Sequence, residues 1–241
     1  MTFEEIVRYR RSVRKYDPDK EIDAEKVKRC IELATLAPAS SNMQLWEFYH
    51  ITSPEILQEL TKACLNQSAA RTAKQMVVFV TRRDLFRKRA RSILDFEIGN
   101  IERNSPPERQ ANRIKNRKLY YGYLMPFFYG RFFGLLGLFR KLLSFFIGLF
   151  RPITRKVTEN DVRVVVHKTC GLAAQTFMLA MANEGFDTCP MEGLDSRLAK
   201  KALRLPHGAE INMIISCGVR LPEGIWGERY RVPFGDVYRE V

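Results

Sequence analysis

The sequence has no CxxC pair, only three histidines (His50, His167, His207) and five widely spaced cysteines (Cys30, Cys64, Cys170, Cys189, Cys217). These numbers and spacings argue against a zinc site and against a disulfide framework. A basic then apolar leader is also lacking. The opening Met1-Thr2-Phe3-Glu4-Glu5 starts a helix-like pattern, so the expectation is a protein made and kept in a reducing cytoplasm. Neither end carries a lipidation motif. Acidic residues are missing altogether from Arg109 to Thr158, where eleven basic residues stand. The 241-residue chain has 40 Lys+Arg against 27 Asp+Glu, a formal charge of +13, so this one segment holds most of the excess. An uncharged run long enough to span a bilayer as a helix, ~18–20 residues, is absent as well. The stretches Leu119–Gly130, Phe132–Phe139 and Leu142–Phe150 are interrupted by Arg131 and by Arg140-Lys141.

What is present is a globular composition, 46% hydrophobic and 28% charged, which excludes global disorder. Thr2 and Glu5 form a capping box at the head of a helix over residues 2–10. Asp23 caps a second helix from Ala24 to Thr35, with Val27, Ile31, Leu33 and Leu36 on or near its apolar face and Pro38 as its stop. Residues 47–52 alternate as a strand, Pro54 opens a helix, and Gln75–Thr81 reads as a buried strand through Met-Val-Val-Phe-Val. A long helical pattern runs from Asp161 to Asn183, and Glu210–Val219 is a further buried strand. Strands separated by helices, with no internal repeat, imply an α+β or α/β core.

Four short constellations carry candidate chemistry. Arg10, Arg11, Ser12 and Arg14 put three guanidiniums and a hydroxyl within five residues, a natural phosphate clamp, although a solvated basic helix end reads the same way. Ala37-Pro38-Ala39-Ser40-Ser41-Asn42-Met43-Gln44 is a helix stop followed by small and amide residues that let a planar ligand approach the backbone. Gly185 is suited to cap the long helix, and Cys189-Pro190-Met191-Glu192-Gly193 follows as a connection to the next helix. Arg229 and Arg231, flanking Tyr230, form a second pair of cations near the C-terminus. Cys189 reads as a small buried filler, and His167 and His207 lack a recognisable acid–base partner in the sequence.

In this order the four constellations resemble the nitroreductase family of FMN-dependent oxidoreductases. The match runs through Arg-Arg-Ser-Val-Arg, Pro-Ala-Ser-Ser-Asn-Met-Gln-Leu-Trp, Cys-Pro-Met-Glu-Gly and Arg-Tyr-Arg-Val-Pro, over roughly residues 3–80 and 160–238. The resemblance implies an α+β fold with a central mixed sheet flanked by helices, assembled as an intertwined homodimer. Residues 1–104 and 159–241 would be two parts of one flavin-binding domain, with 105–158 a basic aromatic insertion. It further implies FMN as cofactor, NADH or NADPH as co-substrate, and a ping-pong cycle that ends on a small organic acceptor. Arg10, Arg11, Ser12 and Arg14 would bind the FMN phosphate, ribityl chain and pyrimidine edge, and Arg229 and Arg231 would close the clamp. Pro38, Ser40, Ser41, Asn42 and Gln44 match the loop laid against the flavin by a partner subunit, and Asn66 matches an amide contact more loosely. Pro190, Met191, Glu192 and Gly193 match the turn over one ring face. Leu45 departs from the family, which usually has proline before the tryptophan. No side-chain acid or base and no metal is required.

The insertion lies outside the resemblance. Between Tyr120 and Phe150 it holds 12 of the chain's 27 aromatic residues, and its glycines and Pro126 argue against one straight helix. One reading is contact with an anionic membrane surface through residues 109–156, with Arg131, Arg140 and Lys141 snorkelling, and hence a peripheral place at the inner face of the membrane. A second is a lid that packs on the partner subunit, and a third is a transmembrane hairpin. A run so rich in leucine disfavours nucleic acid, because leucine does not stack on bases. A flavin-binding protein without turnover is a further alternative.

Overall fold

The computed structural model describes all residues 1–241. In chain order the elements are α1 (Phe3–Tyr9), α2 (Ala24–Ala34), β1 (Trp46–Ile51), α3 (Pro54–Ala63), α4 (Ser68–Arg71), β2 (Gln75–Thr81) and α5 (Phe86–Asn104). Then come α6 (Pro107–Leu119), a π-helical turn (Tyr120–Leu124), α7 (Met125–Tyr129), α8 (Leu135–Ile147), α9 (Glu159–Asn183), β3 (Asp187–Met191), α10 (Ser196–Ala202), β4 (Glu210–Gly218) and α11 (Phe234–Val237).

The sheet order is β1-β2-β4-β3. All three ladders are antiparallel, so the expected mixed sheet reduces to an antiparallel one whose sole parallel pairing is the isolated bridge between Ser12 and Thr188. β2 is buried at every position because helices cover both faces of the sheet. Val77 and Phe79 point into a cluster with α2 and α9, through Val27, Cys30, Ala34, Cys170, Phe177 and Met181. Met76, Val78 and Val80 point the other way, into Leu60, Ala63, Ala69, Met191 and Ala199 from α3, α4, β3 and α10. The result is three layers, helix on sheet on helix.

Local chemistry explains the element ends. The Thr2/Glu5 capping box forms, the Asp23 carboxylate accepts the Glu25 N–H at 2.9 Å, and Gly185 leaves α9 at φ +79°. Two expectations are corrected. Leu33 and Leu36 are exposed, and α2 buries Cys30 and Ala34 beside the expected Val27. The segment after Gly185 forms strand β3 rather than a plain connection between helices, and Pro190 is tolerated there because β3 is an edge strand.

The segment 105–158 is not one straight helix: helical backbone runs from Pro107 to Tyr129 past Gly122 and Pro126, loosened into the π-turn, and the chain turns at Gly130–Gly134 before α8. It packs on the rest through a third cluster. Tyr121, Met125 and Tyr129 meet Met43, Leu45, Ala90, Ile93, Val162 and Val166 there. Leu45, the departure from the family pattern, is therefore a core residue against the insertion. Arg140 does not snorkel. It is 2% exposed, and its guanidinium donates to the carbonyls of Phe127 (3.1 Å), Phe128, Gly130 (3.2 Å) and Leu136 (3.2 Å). Arg83, also buried, donates to the carbonyls of Tyr129 (3.0 Å), Gly130 (3.0 Å) and Glu159 (2.7 Å). Two cations thus cap the carbonyl end of α7, where the helix dipole and its orphan acceptors favour them.

Candidate active site

The end of α1 meets the C-terminal tail in a cleft of about 290 Å³ lined by Arg10, Arg11, Ser12, Arg14, Trp226, Glu228, Arg229, Tyr230 and Arg231. The backbone places it. The Val13 N–H donates to the Thr188 carbonyl (3.1 Å) and the Arg14 N–H to the Gly224 carbonyl (2.7 Å), so the arginine segment is pinned between β3 and the tail. Gly224 lies where a side chain would not fit, since a Cβ there would stand 2.4 Å from the Lys15 carbonyl oxygen. Beneath the cleft, the Asp187 carboxylate, 1% exposed, accepts from the Arg220 guanidinium and backbone N–H, and that guanidinium also lies 4.3 Å from the centre of the Tyr9 ring.

Five arginines face one glutamate in this cleft, and none of the five forms an ion pair. Burial, then the neighbouring charges of Arg231 and Arg11, pushes the Arg10 guanidinium below its ordinary value. Burial and the charges of Arg11, Arg10, Arg231 and Arg8 do the same to Arg229. Such a set is short of an anion. The Thr188 hydroxyl, buried beside the bridge to Ser12, has no hydrogen-bond partner. The donor set fits a phosphate ester, whose oxygens guanidinium forks match in pairs. A larger hollow of about 510 Å³ between α3 and α10 mixes Glu59 with Lys62, Lys201 and Arg204 and gathers no such set.

The expected site residues fall into three places. Arg10, Arg11, Ser12, Arg14, Arg229 and Arg231 come together in the cleft. Arg229 also donates to the carbonyls of Val7 (3.1 Å), Arg8 (3.0 Å) and Arg10, so it holds the end of α1 in place. Pro190 and Met191 continue along β3, with Glu192 and Gly193 exposed just beyond it. From Thr188, at the arginines, to Met191 is about 10 Å along the strand. Gln67, rather than Asn66, reaches this end and donates to the Gly193 carbonyl at 2.8 Å, while Asn66 is exposed at φ +54°. Pro38, Ser40, Ser41, Asn42 and Gln44 line no part of the cleft. Their loop is held by the insertion instead. The Tyr120 hydroxyl bonds the Ser41 hydroxyl (2.8 Å), and the Tyr121 hydroxyl donates to the Ser41 carbonyl (3.2 Å).

Sequence reading missed Trp226, Glu228, Tyr230 and Gln67. Arg14 stacks 5.5 Å over Trp226, a pairing across 212 positions that no local pattern signals. His167 does have partners, Glu210 (3.3 Å) and Asn212 (3.2 Å), and these tie α9 to β4 away from the cleft. All five cysteines are free and buried, and burial lifts the Cys189 thiol above its ordinary value, as a filler requires.

Comparison with known proteins gives one consistent result. The nitroreductase family model matches residues 7–219. YdgI of Bacillus subtilis, provisionally named an NAD(P)H nitroreductase, is 26% identical over 238 residues, 98% of this chain and 95% of that protein. The B. subtilis nitroreductase-type structure ydfN superposes with a TM-score of 0.73 at 20% identity, covering 99% of this chain and 98% of that one. A protein from Exiguobacterium sibiricum, assigned as a nitroreductase and solved in complex with FMN, gives 0.69 at 23% identity, covering 100% and 98%.

Proposed function

The chain belongs to the nitroreductase family of oxidoreductases, and from that premise we propose that it is an FMN-dependent enzyme taking hydride from NADH or NADPH and reducing a small nitroaromatic or quinone-like acceptor by a ping-pong cycle. The observation that carries the reading is the arginine cleft, an anion site without an anion partner, joined through the Ser12–Thr188 bridge to the strand that ends at Pro190–Gly193. Bound FMN supplies the redox chemistry, accepting a hydride from the nicotinamide and returning two electrons to the acceptor.

The chain's own residues bind and orient. Arg10, Arg11, Arg14 and Arg231 would hold the phosphate, Ser12 and the unpartnered Thr188 hydroxyl would meet the chain that links it to the ring, and Arg229 fixes the end of α1 beneath them. Pro190 and the backbone of Met191, whose side chain is in the core, would line the ring, while Gln67 holds the Glu192-Gly193 turn through the Gly193 carbonyl. Positive charge concentrated in the cleft favours an electron-rich, anionic cofactor. No histidine or thiol is placed to move a proton. The loop Pro38–Gln44 serves the site of a second copy in a homodimer, which accounts for its distance from the cleft of its own chain. The exposed tail agrees with a homodimer, because Trp226, Tyr230, Phe234 and Val237 present apolar surface that a second copy would cover.

The test is the absorbance spectrum of the purified protein, followed by anaerobic addition of NADH and then NADPH. Flavin bands that bleach with a nucleotide and return with a quinone or nitroaromatic are expected. A colourless protein that neither takes up FMN nor bleaches would overturn the reading.

A further inference from the structure

In a soluble amphipathic helix the apolar stripe faces the core and the polar stripe faces water. α8 is built the other way round. Its buried residues are Gly137, Arg140 and Ser144, spaced i, i+3, i+7 on one face. Each has a reason to be inside. A Cβ at Gly137 would stand 2.8 Å from the Glu159 backbone nitrogen, so only glycine lets α8 approach the head of α9. Arg140 caps α7, and the Ser144 hydroxyl donates to the Thr154 carbonyl at 2.7 Å. Arg155 closes the far end by donating to the carbonyls of Ser144 and Gly148. The opposite face carries Leu135, Leu138, Phe139, Leu142, Phe145 and Phe146, each more than half exposed, and Phe133 and Phe150 at the two ends are 94% and 89% exposed. Water would not select such a face, and a contiguous apolar patch of this kind marks an interaction surface.

We infer that α8, with the turns at its two ends, is a peripheral docking surface for an anionic lipid bilayer, lying in the interface with its leucine and phenylalanine face in the acyl boundary. Charge complementarity selects this occupant. Arg131, Lys141, Arg151 and Lys156 are exposed along the segment, no ion pair occupies any of them, and no acidic residue lies between Arg109 and Thr158. Lipid phosphates would meet those cations. A second copy set with this same face directly on the two-fold axis would bring basic rim against basic rim, whereas lipid phosphates neutralise it. Thirteen residues of α8 rise about 20 Å, short of the ~30 Å hydrocarbon core, so the helix lies in the interface and does not span it. The one helix long and apolar enough to cross a membrane, α9, is a packed core helix whose buried face includes Cys170, Ala173, Phe177 and Met181. Inside-out polarity at α8 suits an apolar surrounding, while its buried polar face keeps the unit ordered before it docks.

The inference does not depend on the flavin reading. It is tested by flotation of the purified full-length protein with vesicles of phosphatidylcholine alone and of phosphatidylcholine mixed with phosphatidylglycerol, at low and high salt. Binding to the anionic vesicles, weakened by salt, is expected. The double variant Leu138→Glu/Leu142→Glu should remain in the soluble fraction, and Arg131→Gln/Lys141→Gln/Arg151→Gln should bind anionic vesicles about 100-fold more weakly. All five positions are exposed, so unchanged far-UV circular dichroism and melting temperature show that the variants fold. Failure of the unaltered protein to float with either vesicle would overturn the proposal, as would equal binding to both. So would dissociation of the dimer, or of a larger assembly, by Leu138→Glu/Leu142→Glu while vesicles remain unbound, which would make a second copy the occupant. A colourless protein that still floats would refute the flavin reading alone.

Discussion

Replacing Arg140 by leucine sets two opposed effects against each other, and their magnitudes decide the sign. Arg140 is 2% exposed with no carboxylate on it, so burial pushes its basicity down, and the four carbonyls on its guanidinium repay most but not all of the cost of the buried charge. Arg140→Leu removes that cost and adds apolar bulk. It also strips donors from the carbonyls of Phe127, Phe128 and Leu136, whereas Gly130 keeps Arg83. The Leu136 carbonyl lies inside α8 and keeps its helical partner. Phe127 and Phe128 belong to the last turn of α7, which has no following turn to serve them. Two partly buried orphan carbonyls at about 1–3 kcal/mol each, offset by the small residual cost of the charge, leave a net loss of about 2–4 kcal/mol. The loss is local to the α7–α8 hairpin. Hydrogen–deuterium exchange read by mass spectrometry should therefore show amides of residues 125–150 opening about 30- to 1,000-fold more readily. Amides of β2 and β4 should be unchanged. Protection of 125–150 that stays within about threefold would show that the carbonyls do not depend on the guanidinium, and the capping argument would fail.

Two other outcomes are expected. Arg14→Ala should weaken FMN binding about 10- to 150-fold, the value of one charge-assisted contact, in a titration of flavin fluorescence quenching; an unchanged affinity would remove Arg14 from the phosphate site. Glu210 is held down to about 2 by its hydrogen bond to His167 and then by Arg163, against burial. A depressed carboxyl contributes stability that is complete above its unfolded value of about 4.5 and lost as pH falls from there towards 2, so urea midpoints should decline over that window and Glu210→Gln should flatten the decline.

Residues that settle their own conformation were legible before the structure. Asp23 and Thr2 mark helix starts because a side-chain oxygen meets an amide two or three positions away, and Gln75–Thr81 marks a central strand because a run buried on both faces has no polar positions to hide. β3 was not legible, since five residues with a proline carry no period and only the partner β4 makes them a strand. The cleft was half legible. Arg10 to Arg14 stand together in the sequence, but Trp226 and Gln67 join the site only through the fold. Arg140 reads on paper as a solvent-facing cation in an apolar helix, and burying it takes the carbonyl end of α7, a feature that exists only once the hairpin has formed.

The loop at Ser40–Gln44 carries a consequence for how the insertion and the rest of the chain depend on each other. Ser41, Asn42 and Gln44 all sit at positive φ (51°, 53° and 46°), a conformation that costs a side-chain-bearing residue on the order of 1 kcal/mol. Tyr120 and Tyr121, in the π-helical turn, hold Ser41 by its hydroxyl and carbonyl, and Met43 and Leu45 are packed beside Tyr121, Met125 and Tyr129. Shape in the loop and order in the π-turn are thus two readings of one equilibrium. By thermodynamic linkage, whatever rests on the loop and favours this shape must steady the tyrosines by the same free energy, and whatever steadies the tyrosines must return it to the loop.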